Sequence, residues 1–155
     1  LDHFLEQLAL HGGFSLALKA QGDLHVDEHH TVEDCALAIG SALDKALGDR
    51  RGIGRYGFLL PMDESLAQTA IDLSGRPYYV QRGELPRDEV GGLSSEMIKH
   101  FFHSLAQNLR AAIHVEIQGE NTHHMAEAMF KSVGRCLRQA LSRSGSSLPS
   151  SKGVL

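Results

Sequence analysis

Two separate stretches of this chain are written to one plan, and that plan restricts the folds open to it. His3, Phe4, Leu8 and Ala9 recur at the same spacing as His100, Phe101, Leu105 and Ala106. Nineteen residues after each histidine stands a glycine, Gly22 and Gly119. Between them, residues 14–20 and 111–117 alternate like half-buried strands. A His-His-x-x-Glu motif then follows in each half, His29-His30-Thr31-Val32-Glu33 and His123-His124-Met125-Ala126-Glu127. Each motif runs into a long amphipathic helix, over 35–47 and 128–141. The copies differ by three residues in the turn before the motif, a loop change that a surface tolerates. A chain that writes helix, strand, turn, motif and helix twice predicts an α+β protein of two similar halves, an internal duplication with two β-sheet layers faced by helices. The pseudo-repeats cover about 1–50 and 97–142 of a single domain spanning 1–155. They are linked by strands within 53–90, expected at 56–60, 67–73 and 78–81, with turns at Ser74-Gly75-Arg76-Pro77 and Gly91-Gly92. Helical periodicity starts at the first residue with no start signal, so an upstream segment is expected. The Ser- and Gly-rich tail from Ser142 reads as mobile unless a ligand orders it.

Residues four apart on a helix share a face, with Cβ atoms ~6 Å apart. His29 with Glu33, and His123 with Glu127, can therefore hold one ion together. Adjacent residues diverge by ~100° around the helix, so His30 and His124 point elsewhere, and each motif is read as bridging two ions rather than closing one. Adding the equivalent His3 and His100 gives six imidazoles and two carboxylates. Such ligands without thiolate suit manganese, iron or zinc. One His-His pair is most often surface decoration; two copies with Glu at one offset and His at one upstream position point to metal. His11, His25, His103 and His114 have no partner in the other half. His11 can complement its helix dipole, and the other three are expected to face solvent. Arg55, Arg76 and Lys152 could anchor an anion, whereas Asp63-Glu64 reads as a cap or turn at a strand end.

Charge narrows the function further. The formal net charge is −4 and no basic run exceeds Arg50-Arg51, which disfavours nucleic acid. No apolar stretch approaches the ~20 residues that span a bilayer. Two cysteines without zinc spacing suit a reducing, cytoplasmic setting. A metal-dependent enzyme is the leading class. A phosphoester hydrolase on the same scaffold is the rival, and a metal store leaves the three cations unexplained.

Asp27-Glu28-His29-His30-Thr31-Val32-Glu33-Asp34, Asp72-Leu73-Ser74-Gly75-Arg76-Pro77 and Asn121-Thr122-His123-His124 resemble the signatures of imidazoleglycerol-phosphate dehydratases. So do Leu1-Asp2-His3, Leu10-His11-Gly12-Gly13 and Leu148-Pro149-Ser150-Ser151-Lys152-Gly153. The resemblance runs in order over nearly the whole chain. It implies halves that each resemble the second domain of ribosomal protein S5. It also implies a homo-oligomer of 24 subunits with octahedral symmetry and active sites between subunits. Two Mn2+ ions per site would lie on His3, His29, His30, Glu33, His100, His123, His124 and Glu127, the set that the repeat selects. A small phosphate substrate would be met by Gln7, His11, Arg55, Arg76, Lys131, Ser150 and Lys152, with Glu127, Glu33 or an upstream glutamate moving protons. The implied reaction is a cytoplasmic lyase step of histidine biosynthesis, the dehydration of D-erythro-imidazole-glycerol phosphate to imidazole-acetol phosphate. In some bacteria the family also occurs fused behind a histidinol-phosphate phosphatase.

Overall fold

Four helices carry most of the apolar surface: α1 (Asp2–Gly12), α2 (His29–Leu47), α3 (Ser95–Leu109) and α4 (Thr122–Leu141). The computed structural model describes residues 1–58 and 61–155. Asn121 caps α4, its side chain accepting from the backbone N–H groups of His123 and His124, which satisfies donors that a helix start leaves free. Asp27 accepts from the His29 N–H at the start of α2 in the same way. α1 stops at Gly13, whose φ of 70° is left-handed and suits a residue without Cβ.

The sheet consists of β1 (Tyr56–Phe58), β2 (Pro61–Met62), β3 (Ser65–Asp72), β4 (Tyr78–Arg82) and, after a two-stranded ribbon of β5 (Glu89–Val90) and β6 (Leu93–Ser94), β7 (Ala112–Gln118). Its order is β1-β3-β7-β4, with β2 beside β3; β7 runs antiparallel to β3 and parallel to β4. Alternation sends Ala67, Thr69 and Ile71 of β3, and Ile113, Val115 and Ile117 of β7, into the core. Gln68, Ala70, His114 and Gln118 face out. α4 covers β3 and α3 reaches β4, while α1 packs on α4 and α2 on α3. Fully buried Phe130 pins the layers, with ring centroids 5.1 Å from Phe4, 5.1 Å from Phe101 and 4.6 Å from Phe102. Burying an aromatic ring of this size stabilises by roughly 2–3 kcal/mol.

The two helix crossings are alike. A Cβ on Gly40 would lie 2.9 Å from the Leu105 carbonyl oxygen, and one on Gly134 would lie 2.6 Å from that of Leu8. Both glycines stand eleven residues after the first histidine of their motif, so each crossing uses the same missing side chain to bring backbones together.

Several expectations change. Helices 35–47 and 128–141 form, each extended back through its motif, and strands 67–73 and 78–81 form nearly as expected. Residues 14–20 are not a strand: no described strand lies beside them to complete a ladder, whereas 111–117 pair on both edges as β7. A strand is held by its neighbours, and alternation without them leaves an extended segment. Among the described residues there is therefore one large sheet, with only the β5–β6 ribbon besides it, in place of two sheet layers. Of the strand expected at 56–60, β1 takes the first three residues, and the last two lie outside the described residues. His25 lies in a turn at 24–26 rather than in a strand.

Candidate metal centre

Each crossing delivers a histidine to the His-His-x-x-Glu motif that lies farther from it in sequence. α1 places His3 against α4, where His3 Nε2 lies 3.3 Å and His123 Nε2 3.2 Å from Glu127 Oε2. The His3 and His123 rings stack at 5.6 Å. α3 places His100 against α2, where Glu33 Oε2 is 3.4 Å from His100 Nε2 and 3.9 Å from His29 Nε2. The His29 and His100 rings stand 4.5 Å apart. The repeat made the two upstream histidines equivalent; it did not reveal that they exchange motifs.

In each cluster the three ligand atoms lie within 4.8 Å of one another, a span that one ion with bonds of ~2.1 Å can nearly bridge. His100 Nε2 is buried and has no hydrogen-bond partner among the described residues. A buried imidazole nitrogen costs free energy when unpaired, and a divalent ion beside Glu33 would satisfy it. These residues therefore fit a metal. His30 and His124 stand outside the clusters: His30 Nδ1 meets Asp23 and His124 Nδ1 meets Glu64.

Glu127 is 8% exposed. Burial opposes its ionisation, but the Lys131 ammonium, 2.6 Å from Oε1, together with His3 outweighs burial and holds the carboxyl below its usual pKa. The Asp23 contact raises the pKa of His30 and the Glu64 contact raises that of His124, while Glu64 falls to about 2 through its bond to His124.

The expected substrate residues separate into two groups. Gln7 and His11 continue the His3 face of α1 at four-residue steps, beside His123, Glu127 and Lys131 on α4. Burial, then Lys131 and Arg135, lowers the pKa of His11. The corresponding positions of the other crossing carry Ser104, Asn108 and Leu37, where Asn108 Nδ2 donates to the Leu37 carbonyl and Ser41. Only the α1–α4 crossing thus opens onto a cationic row.

Arg55, Arg76, Ser150 and Lys152 gather instead where α4 ends. The Arg55 N–H donates to the Ala140 carbonyl, and its guanidinium spans both Asp72 oxygens at 2.7 and 3.2 Å and reaches the Pro149 carbonyl at 2.8 Å. Arg55 holds a left-handed φ of 65°, a conformation costing ~1–2 kcal/mol for a residue with a Cβ. Arg76 donates to the Ser74 carbonyl; Ser150 Oγ accepts the Lys152 N–H and donates to the Val154 carbonyl. At 1.5 Å per residue, α4 sets Ala140 roughly 20 Å from Glu127. Reading the sequence missed Asp23, Glu64 and the two crossing glycines. The shared offset of Gly40 and Gly134 was a visible signal; the two carboxylates left none, since they come from unrelated positions.

Fold and clusters together define an α+β protein with paired imidazole–carboxylate sites suited to a divalent ion. The chain belongs to the imidazoleglycerol-phosphate dehydratase family, whose model matches residues 1–137. It is 56% identical over 154 residues to the histidine biosynthesis bifunctional protein HisB of Stenotrophomonas maltophilia, matching 99% of this chain and 43% of that protein. Its identity to the Legionella pneumophila protein of the same name is 59% over 153 residues, matching 99% and 44%. The chain thus spans less than half the length of these curated relatives. The crystal structure of imidazoleglycerol-phosphate dehydratase from Staphylococcus aureus superposes with a TM-score of 0.86 at 37% identity, covering 92% of this chain and 82% of that one. That of the Pyrococcus furiosus enzyme in complex with (S)-C348 gives 0.87 at 36%, covering 99% and 85%. No described helix is long and apolar enough to cross a membrane.

Proposed function

We propose that this chain dehydrates D-erythro-imidazole-glycerol phosphate to imidazole-acetol phosphate in histidine biosynthesis, in the cytoplasm, with two Mn2+ ions per active site. The observation that carries the reading is the pair of His–His–Glu clusters, each assembled from both halves, in a chain of this family. Six histidines and two glutamates, His3, His29, His30, Glu33, His100, His123, His124 and Glu127, form the ligand set. Bound there, the ions would supply Lewis acidity to the substrate's imidazole ring and so favour loss of its proton.

The chain's own residues supply the rest. Glu127, kept ionised by Lys131, accepts the proton removed from one glycerol carbon; Glu33 is its counterpart in the other cluster. The hydroxyl on the neighbouring carbon beside the ring leaves with a proton as water, and the resulting enol takes a proton at carbon to become the ketone. Gln7 and His11 orient the substrate along α1. Arg55, Arg76, Ser150 and Lys152 hold the phosphate with charge-assisted hydrogen bonds. A molecule as small as imidazole glycerol phosphate cannot span the roughly 20 Å from Glu127 to that group, so a second copy of the chain completes each site. This supports a homo-oligomer; the resemblance to the family implies 24 subunits with octahedral symmetry. The two halves, about 1–50 and 97–142, are duplicated units like the second domain of ribosomal protein S5, supported by the matched crossings. Bifunctionality, as in the names of the relatives, would rest on residues outside this chain.

The test is turnover of imidazole glycerol phosphate by metal-stripped protein with and without manganese, reading the keto product. Manganese-dependent product is expected. Released inorganic phosphate instead would show a phosphoester hydrolase.

A further inference from the structure

The four inner imidazoles, His3, His123, His29 and His100, all turn Nε2 toward their cluster carboxylate. His30 and His124 differ: a carboxylate occupies Nδ1 of each ring. Asp23 Oδ2 lies 3.1 Å from His30 Nδ1, and Glu64 Oε2 lies 2.9 Å from His124 Nδ1. Among the described residues neither ring has a hydrogen-bond partner at Nε2.

The two carboxylates come from unrelated places. Asp23 belongs to the turn at 23–26 that precedes α2, closed by the Val26 N–H on the Asp23 carbonyl at 2.7 Å. Glu64 sits in the turn between β2 and β3, in the segment linking the halves. There its Oε1 accepts the Asn121 N–H at 3.1 Å and the Ser65 hydroxyl at 3.0 Å. Glu64 is therefore fixed by donors other than the histidine before it meets His124. Asn121 also caps α4, so one residue links the carboxylate to the start of the motif helix. Different segments converge on the same atom of equivalent rings, which the repeat alone does not explain.

A carboxylate at Nδ1 selects the neutral tautomer that carries its proton there and leaves the Nε2 lone pair free. We propose that Asp23 and Glu64 are positioning residues that hold His30 and His124 as Nδ1–H tautomers with Nε2 aimed outward, so that all six imidazoles ligate through Nε2. The inference rests on the metal reading above and adds to it two residues outside the ligand set.

The test uses the metal-free protein, with folding of each variant checked by its melting curve. Nitrogen-15 shifts of the histidine rings, taken at a pH where the rings are neutral, should show Nδ1–H for His30 and His124. Glu64→Ala should return His124 to a tautomer mixture without changing His30, and Asp23→Ala should do the reverse. Manganese affinity should fall about 10- to 100-fold in each alanine variant. Glu64→Gln, whose amide oxygen still accepts from Nδ1, should keep most of it. An Nε2–H tautomer in the wild type would overturn the inference, as would unchanged manganese affinity in folded alanine variants of a protein that binds it. If wild-type protein takes up no manganese, the metal reading itself fails and the inference goes with it.

Discussion

His3 stacks on His123 across most of the chain, with ring centroids 5.6 Å apart and planes inclined by 22°. Both rings present Nε2 to one oxygen of Glu127. The contact exists because α1 crosses close to the motif helix α4, and that closeness depends on Gly134.

Gly134→Ala should therefore destabilise the protein by about 1–3 kcal/mol, the usual cost of overpacking. The added Cβ would meet the Leu8 carbonyl oxygen at 2.6 Å, a backbone atom that cannot swing aside. Gly40→Ala should act similarly at the other crossing and weaken ligation by His29, Glu33 and His100. Urea unfolding, with manganese titration of both variants, checks this; wild-type stability in both would show that the crossings have slack.

Glu127→Gln should leave the fold intact and lower kcat by roughly 10²- to 10⁴-fold, the range for losing a general base. The amide preserves shape but cannot take up a proton. Steady-state kinetics at saturating manganese, with a thermal melt, separates loss of the proton acceptor from loss of metal or fold, and a variant with normal kcat removes Glu127 from proton transfer.

Metal uptake should weaken as pH falls, starting above the ordinary histidine pKa of 6.5, because Asp23 and Glu64 raise the pKa values of His30 and His124. Protonated imidazole cannot ligate. In the metal-free protein the sign is opposite. The His124–Glu64 pair contributes fully between 4.5 and 6.5, the ordinary values of its two groups. It fades as pH rises through the raised histidine pKa, and as pH falls toward about 2, where Glu64 protonates. Calorimetric manganese titrations at several pH values give the first trend, and melts of stripped protein give the second.

Cys136 should resist alkylation in the folded protein. Burial pushes its thiol up to about 12, and Sγ donates to the Thr69 carbonyl at 3.4 Å, so little thiolate exists at neutral pH. Rapid labelling by a maleimide without denaturant would contradict this.

Much of the fold was legible because apolar spacing and the repeat are local. The α4 helix, β7 and the pairing of each glutamate with a histidine four residues earlier all follow from periodicity along one element. The exchange of His3 and His100 was not legible, because which helix lies beside which is decided by packing of Phe4, Phe101 and Phe130 in three dimensions. Residues 14–20 misled for a related reason: alternation describes one strand, whereas a ladder needs a neighbour. Glu64 looked like an ordinary turn residue, and only the fold brings it to His124.

On the proposed reading of the two halves as a duplication, the exchange has a consequence for ancestry. A polypeptide made of one half alone would carry a histidine and a motif that do not meet within it. Two such copies side by side would form two complete clusters, each chain lending its upstream imidazole to the other. Joining the copies turns an encounter that depends on concentration into one fixed at high effective concentration by the linker. On that reading the present single chain would keep, within itself, the contact map of a dimer.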